Sequence, residues 1–202
     1  MQQRVFAVAL ALACACSASL LPGCATQPAA SAAVPVERPA RASIDAFTLD
    51  GRIAVQQGER RNAANISWRH AADRDEMLFA TPLGQGLAEL TRDAGGAHLR
   101  LADRREFAAA DWDSLAAQVL GAPLPLSALP RWVLGAIPPR HAGDMTRDEQ
   151  GRPRQVRSDG WRIDYLDYES PAATALPTLI ELHRDDDGIE VRLKVDDWQL
   201  NP

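Results

Sequence analysis

The sequence predicts a mainly β domain of the α+β kind, an antiparallel sheet of short strands with two short helices laid over one face. Two patterns carry this. Apolar and polar residues alternate with period two in many short stretches bounded by turn residues, and two stretches in the middle of the chain repeat their apolar residues at helical spacing. Once an N-terminal signal is removed, the chain falls in the range of one domain able to bury a substantial core without disulfide staples.

The elements follow in order. Phe47, Leu49, Ile53 and Val55 alternate with Thr48, Asp50, Arg52 and Gln56, the pattern of a strand with one buried face, and Gly51 within it marks a bulge or a close approach of another backbone. Residues 65–69 place Ile66 and Trp68 on one face. Strands at 77–81, 87–92, 97–101 and 105–108 follow, with turn clusters at Asp93-Ala94-Gly95-Gly96 and Ala102-Asp103. Short strands joined by tight turns make an antiparallel meander.

Asp111 then offers an N-cap, and Trp112, Leu115, Ala116, Val119 and Leu120 form an apolar helical stripe that Gly121 and Pro123 stop. A second helix is expected over 127–134, with Pro130 in its first turn and Gly135 as its C-terminal cap. The apolar stripes of these helices suit them to cover one face of the sheet. Past Pro138-Pro139, strands resume around Met145 and at 154–157, with turns at Gln150-Gly151 and Asp159-Gly160. Trp161, Ile163 and Tyr165 alternate, 171–175 is a loop and 178–183 a strand. A hairpin turn at 185–188 leads into Ile189, Val191, Leu193 and Val195, which alternate with Glu190, Arg192 and Lys194.

At the amino end, Arg4 and the apolar, small-residue run 5–21 have the layout of a secretory signal peptide. The run ends in Leu21-Pro22-Gly23-Cys24, which resembles the lipobox of bacterial lipoproteins, where the cysteine is lipidated and the chain is cut just before it. Of the three cysteines, Cys14 and Cys16 lie in the discarded run, so Cys24 alone remains and no internal disulfide is possible. A lone free thiol is out of place in an oxidising compartment, and a lipidated one is not. Each buried methylene adds about 0.8 kcal/mol, so two or three acyl chains anchor firmly where one does not. The resemblance also implies the outer membrane, since Ala25 replaces the Asp that many bacteria read as an inner-membrane retention signal. Residues 1–23 are thus expected to be a lipoprotein signal peptide, 24–42 a lipidated flexible tether rich in Ala, Pro and Ser, and 43–202 a single domain.

Chemistry has no visible foothold. The net charge is −5 and the basic residues, all Arg except Lys194, are spread evenly, so no basic stripe points to nucleic acid. His70, His98, His141 and His183 lack zinc-ligand spacing, and neither Gly-x-Ser-x-Gly nor His-Glu-x-x-His occurs. Gly84-Gln85-Gly86 lacks the final glycine of a dinucleotide loop and precedes a strand. Asp185-Asp186-Asp187 reads as a solvated turn, because the ligand spacing of a calcium loop is missing. Trp68, Trp132, Trp161 and Trp198 fall at inward positions, where they either fill a core or line an apolar cavity.

Together, the lipobox, the turn Thr81-Pro82-Leu83-Gly84 followed by Leu87-x-Glu89-Leu90, the run Leu124-Pro125-Leu126 leading into Leu129-x-x-Trp132-Val133-Leu134-Gly135, and the ending Val191-x-Leu193-Lys194-Val195-Asp196-Asp197-Trp198 resemble the LolB family. These are the outer-membrane receptors of the bacterial lipoprotein-sorting pathway, and the likeness covers essentially the whole domain. It implies a strongly curved antiparallel sheet forming an unclosed barrel, with a helical lid over an apolar cavity.

It further implies a lipid-anchored monomer on the periplasmic face of the outer membrane that takes acylated lipoprotein cargo from a LolA-like periplasmic carrier and inserts it among the outer-membrane lipids. No enzyme activity, cofactor, metal or nucleic acid is implied. Chemistry alone would fold Leu83 back into the core. The resemblance instead puts it at the tip of a membrane-delivery loop. For the acyl-chain cavity, Trp68, Phe79, Leu90, Leu99, Trp132, Val133, Ile163 and Leu193 are the expected walls. An outer-membrane lipoprotein that binds a lipid or hydrophobic small molecule outside the sorting pathway would share that cavity, and dependence on a carrier separates the two readings.

Overall fold

Among the described residues, eleven strands hydrogen-bond into a single antiparallel sheet, and two α-helices interrupt their sequence. The computed structural model describes residues 38–120, 124–138 and 144–200. In chain order the elements are β1 (Phe47–Gln57), β2 (Arg60–His70), β3 (Asp75–Ala80), β4 (Gly86–Asp93), β5 (Gly96–Leu101), β6 (Glu106–Ala109), α1 (Trp112–Leu120), α2 (Leu129–Leu134), β7 (Met145–Arg147), β8 (Pro153–Ser158), β9 (Trp161–Tyr168), β10 (Pro177–Arg184) and β11 (Ile189–Gln199). Across the sheet they run β6-β5-β4-β3-β2-β1-β11-β10-β9-β8-β7. The chain meanders outward from β1 to β6, crosses through the helices, and returns from β7 to β11, which pairs with β1. The sheet is left unclosed, with β6 and β7 as its edges. The helices bridge its two arms: α1 packs on β5 and β6, α2 on β10.

Register decides which side chains share the inner face. Leu49 lies opposite Trp68 on β2 and Trp198 on β11, and Ile53 lies opposite Ala64 and Leu193. From β2 outward one row runs Trp68, Met77, Leu90, Leu99 and Phe107. On the other arm a row runs Val191, Leu182, Ile163 and Val156. Because side chains alternate strictly along a strand, one apolar residue every second position builds this continuous inner face. Its centre is aromatic: Phe47 meets Trp68 and Trp198 edge to face, with ring centroids 5.1 and 5.3 Å apart. This geometry adds about 0.5–1.5 kcal/mol per pair to the area buried.

Gly51 fulfils both expectations held for it. The β1–β11 register shifts by one between Asp50 and Gly51, and a Cβ at Gly51 would stand 2.2 Å from the Lys194 carbonyl oxygen. The bulge bends the strand where the two arms meet. The first hairpin is longer than its apolar pattern suggests, since Arg60, Arg61 and Asn62 continue the ladder to Gln57, Gln56 and Val55. Backbone hydrogen bonds hold that extension, and no apolar period marks it.

Asp111 caps α1, accepting a 2.7 Å hydrogen bond from the Ser114 amide. Asp113 accepts bonds from the Ser127 amide (3.0 Å) and hydroxyl (2.7 Å), which joins α1 to the approach of α2. α2 starts two residues later than expected. Ala128 and Leu129 donate to Pro125 and Leu126, a tighter turn that precedes the helix proper, and Pro130 sits in its first turn. It ends at Gly135 as expected. The signal and Cys24, the helix stop at Gly121 and Pro123, and His141 lie outside the described residues. Arg38 and Arg41, which the sequence assigns to the tether, are bonded into the domain: Arg38 pairs with Glu169, and Arg41 donates to the Ala173 and Ala175 carbonyls.

Candidate functional site

The eight residues expected to line a cavity all lie on the inner face of the sheet or on α2 beneath it. Trp68, Leu90, Trp132, Val133, Ile163 and Leu193 are buried, whereas Phe79 and Leu99 are half-buried. Trp132 packs on Trp161 of β9 with ring centroids 6.3 Å apart. The Tyr165 hydroxyl donates a 2.7 Å hydrogen bond to the Trp132 carbonyl, tying α2 to the sheet. Burial raises the Tyr165 pKa well above that of a free phenol, so this hydroxyl keeps its proton. Trp198 is held in the same way, its indole N–H donating to the Pro177 carbonyl at 2.9 Å.

Packing is uneven along the inner face. Near the helices it is close, around Phe47, Leu49, Trp68, Trp112 and Leu115. Toward the opposite end of the strands, Ile53, Val55 and Phe79 are only half-buried, although each faces inward, and so are Leu99 and Phe107 at the β6 edge of the Trp68 row. An apolar inner surface therefore continues past the helices toward the turn after β3.

That turn holds Leu83. Gly84 N–H donates to the Thr81 carbonyl (2.8 Å) across Pro82 and Leu83, Thr81 N–H donates to the Gln85 carbonyl (2.8 Å), and Gln85 N–H to the Thr81 hydroxyl (3.1 Å). Pro82 presets the first central position, and Gly84 takes φ 83°, which other residues adopt only with strain. Three hydrogen bonds thus fix a narrow loop whose apex is a leucine 90% exposed to solvent. Leu78 and Leu87, on the outer face of the two strands that carry the turn, are exposed as well.

At the other end of β3 stands a feature that pattern reading missed. Asp75 is 1% exposed and faces inward beside Met77 and Phe79. Its carboxylate accepts hydrogen bonds from Trp68 Nε1 (2.9 Å), His70 Nδ1 (2.7 Å) and Arg92 Nε (2.7 Å). Desolvation pushes the Asp75 pKa up, but the hydrogen bonds from His70, Trp68 and Arg92 outweigh it and hold the carboxyl below the ordinary range. The missed signal was an acid and a histidine at inward parity on otherwise apolar strands: Asp75 before Met77 and Phe79, His70 after Ile66 and Trp68.

A family model described as Outer membrane lipoprotein LolB matches residues 45–198, nearly all of this sheet and both helices. The chain belongs to the LolB family. Among its relatives, the outer-membrane lipoprotein LolB of Thiobacillus denitrificans is 37% identical over 183 residues, which cover 90% of this chain and 93% of that one. The LolB of Azoarcus is 38% identical over 192 residues and 95% of each chain. That of Dechloromonas aromatica is 34% identical, over 91% of this chain and 94% of its own.

Proposed function

We propose that this protein is an outer-membrane lipoprotein, anchored through Cys24, that accepts acylated lipoproteins from a periplasmic carrier and inserts them into the outer membrane. The observation that carries this reading is the continuity of apolar surface from beneath the helices, through half-buried Ile53, Val55 and Phe79, toward the turn of Leu83. Acyl chains enter between the sheet and the helices, on the wall formed by Trp68, Phe79, Leu90, Leu99, Trp132, Val133, Ile163 and Leu193. The unclosed seam between β6 and β7 supports this, because the arms can spread there without breaking a strand ladder.

Delivery follows from the loop. Holding a leucine in water forgoes about 1.5–3 kcal/mol of burial, which it recovers on entering lipid. Leu83 therefore brings the end of the apolar surface against the bilayer, and the cargo chains pass into lipid. Each step is a difference in affinity between two apolar environments, so the transfer runs without nucleotide or metal.

The test is to reconstitute the full chain in liposomes, add a carrier loaded with a labelled lipoprotein, and follow the label into the lipid fraction. Transfer of acylated cargo and none of its nonacylated form is the expected result. If acylated cargo stays on the carrier while the reconstituted protein is folded, the sorting role is lost, and a lipoprotein binding a lipid outside that pathway takes its place.

A further inference from the structure

The outer face of the sheet, beside the turn that carries Leu83, holds a hollow of about 260 Å³, and Pro82 of that turn is part of its wall. Register makes the hollow. On this face Ala54 of β1 lies opposite Ala63 of β2 and Arg192 of β11, and Arg52 lies opposite Asn65 and Lys194. The two alanines are too short to fill the space between their longer neighbours. The floor is therefore apolar, and Arg52, Arg192 and Lys194 stand around it. Among the described residues that line it there is no carboxylate, in a chain whose net charge is −5. Arg52 and Lys194 reach Asp196 at 3.0 and 3.7 Å, and Arg192 reaches Glu181 at 3.0 Å, but all three cations are about half exposed. Ion pairs this open to water hold weakly, so the cations can turn to a further anion.

We propose that this hollow seats the phosphate of an anionic phospholipid headgroup when Leu83 enters the bilayer. The proposal rests on the delivery role above and adds which lipid surface the protein is built to meet. Depth argues for a lipid. Consecutive residues stand about 3.8 Å apart, and the headgroup layer on each side of the hydrocarbon is roughly 5–8 Å thick. With Leu83 in hydrocarbon, Pro82 and the hollow behind it lie at the level of the headgroups. Asn65 holds that spacing, since its Nδ2 donates to the Thr81 carbonyl (3.3 Å) where the turn begins. Charge argues for an anion, because arginines and lysines at this depth are drawn to a negative leaflet. The volume is below the ~300–1,000 Å³ of pockets that enclose a whole ligand, and suits a headgroup whose acyl chains stay in the bilayer. Leu78 and Leu87, exposed on the same outer face, extend the lipid-facing surface on the β3 and β4 side of the turn.

The experiment reconstitutes the full chain through its own anchor into vesicles of phosphatidylcholine, or of phosphatidylcholine mixed with phosphatidylglycerol. A carrier loaded with labelled lipoprotein is added, and the ratio of delivery rates into the anionic and the zwitterionic vesicles is read. Wild type delivers faster into the anionic vesicles. Arg192→Gln and Lys194→Gln each lower the ratio, by up to about fivefold. Arg154→Gln, the same loss of charge at an exposed position on β8, leaves it unchanged. Each ratio compares one protein in two membranes, so a loss of folded protein cancels. A wild-type ratio of one, or a ratio that Arg154→Gln lowers as much as the other two, overturns the headgroup site while leaving the sorting role standing. Slower delivery by Arg192→Gln and Lys194→Gln into both kinds of vesicle at an unchanged ratio also overturns it, and assigns the cations to docking the carrier. Delivery into neither vesicle by the wild type overturns the sorting role and the site together.

Discussion

At the start of β3, Asp75 is buried and its carboxylate is met by donors from Trp68, His70 and Arg92. Just past the end of the same strand, Leu83 stands in water on a turn held by three short hydrogen bonds. One end buries a charge inside an apolar face, and the other exposes a hydrocarbon outside it. Each inverts the usual placement of its residue type. The buried acid is compensated fully by neighbours inside the fold, so it belongs to stability. The leucine has no such compensation among the described residues, and under the proposed function its partner is the bilayer.

If that contrast is right, the two ends respond oppositely to substitution. Asp75→Ala removes the acceptor from Trp68, His70 and Arg92 at once, and a broken buried pair of this kind costs about 3 kcal/mol. A urea titration reads this as a lower midpoint at unchanged slope. Next comes Gly51→Ala, at the junction of the two arms. Its new Cβ meets the backbone oxygen of Lys194, which cannot swing away, so a loss of about 2 kcal/mol is expected in the same titration.

The acid dependence is smaller and sharper in its assignment. The Asp75 carboxyl is held below its unfolded value, so its contribution is complete above about pH 4 and drains away as pH falls through the folded value. Unfolding free energy measured against pH should drop on the acid side in the wild type, and Asp75→Asn should flatten that drop. Leu83→Glu closes the series: stability should stay within about 0.5 kcal/mol of wild type, while transfer of cargo into liposomes is lost. A Leu83→Glu variant that still delivers cargo, or one that unfolds, would erase the distinction between the two ends.

Much of this was legible in the residues. Period two put Trp68, Ile163 and Leu193 on one face, and register then made neighbours of those rows, because a one-residue slip would have turned each strand inside out. Gly51 was readable as a bulge since a glycine interrupts an otherwise clean alternation. Asp111, Pro130 and Gly135 marked the helix ends through capping chemistry. The Asp75 network was not legible, because His70, Asp75 and Arg92 come from three strands and meet only through two hairpin registers. Nor could pattern separate the half-buried Phe79 and Leu99 from the buried Leu90. All three share a face, and what differs is their place on it, since Phe79 lies toward the Leu83 turn and Leu99 one strand nearer the β6 edge.

The pairing of β1 with β11 also sets an order of events. Thr48 lies opposite Gln199, so the central ladder joins nearly the first strand residue to the last. Each arm is a series of hairpins that closes through local contacts. Their union waits for the carboxyl-terminal strand and carries the loop-closure cost of the whole domain. The sheet therefore cannot be completed until β11 has been made, and before that each arm has only its own hairpins to hold it.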